Sequence, residues 1–209
     1  KATAHVDFGA KNSNPRNNSI RKITIHHMAG NLGAVSCAQM HRNGSCSANY
    51  YIGSDGTICS GVAENRRAWT SSSPANDHQA ITYEVANNSG APNWSISKAA
   101  YDAMIALSRD ICSRYGINAY YDGSSSASLT THDMFAATCC PGPYIKGKLK
   151  NGEIDIMGDI SYTPDRAEEM LFSDEPMGEE KYYLYADLSR EDITASDFKT
   201  LDGKTIGVL

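Results

Sequence analysis

The chain has 209 residues, of which 41% are hydrophobic and 9% aromatic, enough to form the core of one ordinary domain with a smaller addition. No apolar run approaches the roughly 20 residues that span a bilayer, so no membrane span is predicted. The net charge of −5 is unevenly distributed: residues 1–150 carry 14 Lys and Arg against 9 Asp and Glu, whereas residues 151–209 carry 5 against 15. This change predicts a domain boundary close to residue 150.

The cations of the first part are scattered along the chain. Arg66-Arg67 is the only pair of adjacent arginines, so the sequence does not predict a nucleic-acid interface. A mixed, solvated surface explains most of these charges, and their excess would suit an anionic polymer as partner. The sequence begins at Lys1 and shows no signal peptide, which leaves the route of export open.

The spacing of the apolar residues predicts an α/β domain built on one mixed sheet. Residues 1–20 are expected to be an irregular lead-in, and Arg66–Asp77 a polar loop around Trp69. An Asp-Gly turn predicts a hairpin, and Gly116 is expected to end the longest helix in a left-handed conformation. The predicted elements are, in order, a strand over residues 22–28, a helix over Ala34–Arg42, the hairpin strands Asn49–Ile52 and Thr57–Cys59, a strand over Ala80–Ala86, and a helix from Ser95 or Ser97 to Tyr115.

Two separate stretches carry the residues with the most distinctive chemistry. His132 and Cys140 lie eight residues apart, and Pro141-Gly142-Pro143 then interrupts the chain. Far upstream, the run Ile23–His27 alternates as a buried strand does and ends in two histidines. Imidazole nitrogen and thiolate sulfur are ligands that Zn²⁺ prefers. A set of two histidines and one cysteine leaves a fourth tetrahedral position for water, which is the pattern of a catalytic zinc.

The six cysteines form no Cys-x-x-Cys pair, so a structural zinc ribbon is not predicted. Cys37 and Cys46 close a short loop, and the sequence leaves open whether they form a disulfide or remain two free thiols. Cys59 and Cys112 are typical of small buried hydrophobic residues. Cys139 is expected to point into the core.

One carboxylate interrupts a strand pattern. In Ala80–Ala86, alternation places three apolar side chains on one face and Thr82 and Glu84 on the other. Glu84 must therefore face either solvent or a functional site, and an ordinary solvated role remains open at this point.

Five motifs follow one another along the chain: Ile23–Gly30, Ser47–Ile58, Arg67-Ala68-Trp69, Ile81–Val85 and His132–Pro143. Their order and spacing resemble the type 2 N-acetylmuramoyl-L-alanine amidases, a family related to peptidoglycan recognition proteins and common among phage endolysins. The resemblance covers about residues 20–147 and implies a catalytic domain over residues 1–147, with a central mixed β-sheet flanked by helices.

The resemblance assigns a role to individual positions. It makes His26, His132 and Cys140 the zinc ligands, and it leaves His27 as a packing or supporting residue. Glu84 takes the position of the acid/base that one branch of the family uses. The three remaining histidines have no partner pattern and are expected at the surface: His5, His41 and His78.

The sequence departs from the family pattern at three positions. Another branch has Tyr where this chain has Ala48 and often Lys where it has Thr138, and both differences favour Glu84 as the base. Thr138 then stabilises the oxyanion or serves packing, and both roles stay open. The family often has His after the Trp of its Ala-Trp motif, whereas Thr70 follows Trp69 here.

The implied reaction is hydrolysis of the amide between N-acetylmuramic acid and L-alanine in bacterial peptidoglycan. Zinc would polarise the scissile carbonyl and lower the pKa of a water, and Glu84 would carry the proton of that water to the leaving amine. Such an enzyme works in the cell wall or outside the cell, as an endolysin or autolysin does. The alternative is a non-catalytic peptidoglycan receptor on the same fold, against which the Cys140 ligand and Glu84 both argue.

The acidic segment 148–209 resembles part of a bacterial extracellular solute-binding domain, predicted as a small α/β piece. It holds only about 60 residues, roughly a third of such a domain, so a complete ligand cleft is not expected. A spacer, a passenger or a surface for oligomerisation are the roles that remain, and a sensor or transport function is the weakest reading.

Overall fold

A computed structural model describes residues 2–151. The fold is an α/β domain in which a central mixed sheet is flanked by helices, as the sequence predicts. The strands are β1 (Ala4–His5), β2 (Ser13–Pro15), β3 (Lys22–His27), β4 (Tyr50–Ile52), β5 (Ile58–Ser60), β6 (Arg66–Ala68), β7 (Ala80–Val85) and β8 (Leu129–Thr131), and the helices are α1 (Ala34–Asn43), α2 (Pro74–Asp77), α3 (Lys98–Tyr115) and α4 (Gly142–Lys150), with a 3₁₀ turn over His132–Met134.

The central sheet has six strands in the order β1-β5-β4-β7-β3-β8. Strand β7 pairs in parallel with both β3 and β4, and β3 also pairs in parallel with β8. The predicted hairpin is confirmed as the antiparallel pair β4–β5. Strands β2 and β6 form a separate two-stranded antiparallel sheet. Because β3, β7 and β8 run in the same direction, the chain leaves all three at the same edge of the sheet.

Side-chain alternation divides the core into two layers. Ile23 and Ile25 of β3 and Ile81 and Tyr83 of β7 pack with the apolar stripe of α3 on one face of the sheet. On the other face α1 packs against β4 and β5. His26 and Glu84, which alternate with the residues under α3, therefore belong to the α1 face.

Helix α3 begins and ends where the sequence predicts. The Ser97 hydroxyl accepts a hydrogen bond from the backbone N–H of Ala100 and so caps the first turn, which decides between the two candidate serines. Gly116 adopts a φ of 62° and ends the helix in the left-handed region, where a Cβ is unfavourable.

Three local predictions are wrong. The lead-in over residues 1–20 contains β1 and β2, and the loop over Arg66–Asp77 contains β6 and α2. Each of these four elements has only two to four residues, too few for a periodic signal, and the strands form through pairing with distant parts of the chain. Pro141-Gly142-Pro143, expected only as an interruption, starts α4, because proline is tolerated in the first turn of a helix.

Within residues 2–151 no helix is both long enough and apolar enough to cross a bilayer. The resemblance predicted for 148–209 falls almost entirely outside the described residues. The proposed boundary at residue 147 and the oligomerisation surface in that segment therefore stay predictions.

Candidate functional site

Three side chains from separate parts of the chain meet beyond the common edge of the parallel strands. His26 is the penultimate residue of β3, His132 directly follows the neighbouring strand β8, and Cys140 lies in the loop before α4. One potential ligand atom from each residue lies within 4.8 Å of the others. The two imidazole ring centroids are 4.5 Å apart. The predicted ligands are thus brought together by the parallel pairing of β3 with β8.

The two imidazoles are in a state that suits metal binding. Burial lowers the pKa of His26 well below its ordinary value, with His132 as a further cause, and burial also lowers the pKa of His132. Both rings are therefore neutral at neutral pH. The Nε2 atoms of both are buried and have no hydrogen-bond partner among the described residues. Buried polar atoms are rarely left unpaired, so neutral rings without protein partners fit a metal site.

The third ligand position is held by a thiol. Cys140 is buried, and burial together with the nearby Glu84 raises the pKa of its thiol. The backbone N–H of His27 donates to the Cys140 sulfur at 3.3 Å. A metal ion offsets both effects that oppose the thiolate, since it neutralises the charge and replaces the proton. The donor set of two neutral histidines and one thiolate fits Zn²⁺.

Glu84 lies next to this cluster. Its backbone is the direct cross-strand partner of His26 in the pairing of β3 with β7. The residue is only 8% exposed, so the solvated reading of Glu84 is wrong: β7 lies in the interior of the sheet, between β4 and β3. Burial raises the pKa of its carboxyl to about 8.

Thr138 borders the cluster through its neighbour Cys140. The Thr138 hydroxyl oxygen accepts a hydrogen bond from the backbone N–H of Cys140 at 3.2 Å. A surface pocket of about 410 Å³ begins at Thr138 and Cys139 and continues along the first two turns of α4. Lys146 and Asp133 form an ion pair in its wall. The pocket is therefore lined by Asp133, which follows the ligand His132, and by Cys139, which precedes the ligand Cys140.

Sequence reasoning did not identify two side chains that support the site. The ring of His27 packs on Trp94 with 4.7 Å between centroids, and His27 Nδ1 lies 2.8 Å from Asn87 Oδ1. His27, which was expected to support the site, thus contacts two residues of the loop between β7 and α3. An Asn directly after a buried strand is the only local signal for Asn87, and Trp94 has none.

The other cysteines and histidines correct several expectations. Cys139 is exposed rather than buried, because the turn directs Cys140 inward and its predecessor outward into the surface pocket. Cys37 is buried and Cys46 is exposed, and the two are not bonded to each other in this structure. The burial of Cys59 and Cys112 is confirmed. Of the three histidines expected at the surface, His5 is exposed, whereas His41 and His78 are half-buried through contacts with Tyr51 and Asn17.

Comparison with known proteins agrees with this geometry. The family model described as N-acetylmuramoyl-L-alanine amidase matches residues 16–143, more than half of the chain. The chain therefore belongs to the N-acetylmuramoyl-L-alanine amidase family. The match ends before residue 148, so the resemblance of the acidic segment to a solute-binding domain stays a prediction. No curated protein matches the chain.

Solved structures show the same fold. The endolysin N-acetylmuramoyl-L-alanine amidase LysCS from Clostridium intestinale is 23% identical, with a TM-score of 0.53 over 73% of this chain and 97% of that one. PlyL is 16% identical, with a TM-score of 0.55 over 75% and 98%. The amidase AmiD from E. coli, solved with anhydro-N-acetylmuramic acid-L-Ala-D-gamma-Glu-L-Lys, is 21% identical, with a TM-score of 0.53 over 67% and 60%.

Proposed function

We propose that this protein is a zinc-dependent amidase that cleaves the bond between N-acetylmuramic acid and L-alanine in bacterial peptidoglycan. The observation that carries the proposal is the convergence of His26, His132 and Cys140 within 4.8 Å, beside the buried carboxyl of Glu84. Membership of the amidase family supports the reaction class. The muramyl-peptide complex of AmiD supports the substrate class.

His26, His132 and Cys140 would hold the zinc ion. Bound there, zinc supplies a Lewis acid for the amide carbonyl and a water of lowered pKa. The lowered pKa values of the two histidines keep their ring lone pairs available at neutral pH. The N–H of His27 stabilises the Cys140 sulfur as an acceptor.

Glu84 would act as the general base and then as the general acid. Its carboxylate accepts a proton from the attacking water and delivers it to the leaving amine of L-alanine. Its pKa of about 8 without a cation is suited to holding that proton between the two steps. A nearby cation lowers the pKa of a carboxyl group, which would favour the basic form before attack.

The Thr138 hydroxyl oxygen accepts a hydrogen bond from the backbone N–H of Cys140, and this bond does not use the hydroxyl proton. That proton would go to the developing oxyanion of the amide. The pocket that begins at Thr138 would receive part of the substrate, and the excess of cations in residues 1–150 suits an anionic cell wall. We place the enzyme in the cell wall or outside the cell, with an endolysin-like or autolysin-like role.

The direct test is release of soluble peptide from purified peptidoglycan. The intact chain should create new L-alanine amino termini, chelation should abolish their formation, and added zinc should restore it. Glu84→Gln should reduce the rate about 10²- to 10⁴-fold, the usual size of a general acid–base contribution. Asp102→Asn, the same chemical change at an exposed helix position, should have no effect. Binding to the wall without cleavage in any sample would contradict the proposal and favour the receptor.

A further inference from the structure

We propose that Trp94 and Asn87 are positioning residues that act through His27 to hold Cys140 in place for the metal. The inference rests on the proposed metal site but not on the hydrolysis of any particular substrate. It assigns a role to the loop between β7 and α3, which supplies none of the three ligands.

Contacts among His27, Asn87, Trp94 and Gly142 form a closed network around Cys140. His27 donates its backbone N–H to the Cys140 sulfur at 3.3 Å, and its ring nitrogen Nδ1 lies 2.8 Å from Asn87 Oδ1. Asn87 Nδ2 donates to the backbone carbonyl of Trp94 at 2.9 Å. The Trp94 side chain then returns to the cysteine loop at Gly142, where an added Cβ would lie 2.6 Å from Trp94 Cβ.

Two residues that contact His27, Ala29 and Trp94, have an unfavourable backbone conformation. Ala29 has a φ of 53° and Trp94 a φ of 52°, and neither is a glycine. Residues with a Cβ are uncommon in this region, and for a side chain as large as Trp the conformation is costly. Both residues contact the His27 ring: the N–H of Ala29 lies 3.0 Å from Nδ1, and the indole packs on the imidazole. Such strain persists only where the surrounding contacts hold it, so the position of the His27 ring is tightly determined by its neighbours.

This network of contacts restricts the position of the Cys140 sulfur. His27, Asn87 and Cys140 are each at most 7% exposed, so little solvent is available to replace a lost contact. A ligand whose position is fixed before binding loses less conformational entropy when the metal binds. Removing the indole would take away the packing partner of the His27 ring and the ring atoms beside Gly142, and the sulfur would be held less firmly in its direction toward the two histidines.

Zinc affinity and the absorption spectrum of the Co²⁺-substituted protein test the proposal. Trp94→Ala should weaken zinc binding about 10- to 100-fold, the usual cost of losing a residue that supports a ligand. It should also shift or weaken the Co²⁺ bands that report sulfur ligation. Trp94→Phe keeps a ring on His27 and should recover most of both signals. Trp69→Ala, at the other tryptophan, which is 42% exposed, should leave zinc affinity unchanged.

Asn87→Ala provides a second route if Trp94→Ala does not fold. It removes the hydrogen-bonded link from the His27 ring to the Trp94 carbonyl without opening a large cavity, while the indole stays on the imidazole. It should also weaken zinc binding and change the Co²⁺ absorption. Unchanged zinc affinity and an unchanged Co²⁺ spectrum in folded Trp94→Ala or Asn87→Ala would overturn the proposal. Because neither readout uses peptidoglycan, a failure here is distinguishable from a failure of the amidase function.

Discussion

Glu84 is the residue at which chemistry and stability oppose each other. A carboxyl that is 8% exposed favours its neutral form, and its pKa is about 8 in the folded chain without metal. Between pH 4.5, the ordinary pKa of the group, and about pH 8, Glu84 is mostly protonated in the folded chain and mostly ionised in the unfolded chain. The stability that the neutral carboxyl contributes is fully present below that pH and is lost as the pH rises through about 8.

Comparison of the metal-free wild type with Glu84→Gln isolates this effect. The variant should be more stable at pH 8 to 9, by up to about 5 kcal/mol for a pKa raised from 4.5 to about 8 at about 1.4 kcal/mol per pKa unit, and the advantage should shrink toward pH 5. Urea unfolding at each pH measures the difference. A difference that stays constant across this range would show that Glu84 does not titrate in the way that its burial implies.

The Cys140 thiol makes metal binding depend on pH. Burial and Glu84 raise its pKa, so the metal-free protein holds a thiol that must release a proton when zinc binds. The pKa values of His26 and His132 are lowered, so both are already neutral above pH 6.5. Zinc binding should also displace the proton of Glu84, whose carboxyl has a pKa of about 8 without a cation. Zinc affinity should therefore rise about 10- to 100-fold per pH unit between pH 6.5 and 8. Competition with a chelator of known proton binding measures the slope, and Cys140→Ala should reduce it by about tenfold per pH unit, the share of the thiol proton.

At the scale of the element, replacement of glycine by alanine should have opposite effects on stability at two positions. Gly116 ends α3 with a φ of 62°, where a Cβ is strained, so Gly116→Ala should destabilise the fold by about 1 kcal/mol. Gly147 lies inside α4, and an added Cβ there meets no atom within 4 Å. Gly147→Ala should stabilise by about 0.5–1 kcal/mol because alanine is the better helix former. Thermal unfolding of both variants checks the pair, and the same sign for both would contradict it.

The elements also separate what the sequence predicts from what it does not. Strands β3 and β7 and helices α1 and α3 are long enough to show a period, and their predicted positions are confirmed within one or two residues. The short elements β1, β2, β6 and α2 are set by partners elsewhere in the chain. At the site, the residue types indicate a metal site, and the family resemblance assigns the individual ligands. The burial of Glu84 and the contacts of Trp94 and Asn87 depend on how distant strands and loops pack, which no local pattern encodes.

At the scale of the whole domain, the site depends on strand direction. Residues 26, 132 and 140 are distant in sequence, and they meet because β3 and β8 are parallel neighbours that end at the same edge. Glu84 joins them because β7 pairs with β3 in register on the other side. The parallel strands thereby bring together three segments that are far apart along the chain: the end of β3, the end of β7 and the stretch from His132 to Cys140.

Zinc titration of the metal-free protein, with cleavage of a defined muramyl peptide followed by mass spectrometry, tests the central claim most directly. We expect no cleavage without metal, full activity at one zinc per chain, and cleavage only at the bond between the muramic acid and L-alanine. His132→Ala should lose both the stoichiometric binding and the cleavage. Cleavage by metal-free protein, or one bound zinc with no cleavage at that bond, would contradict the account.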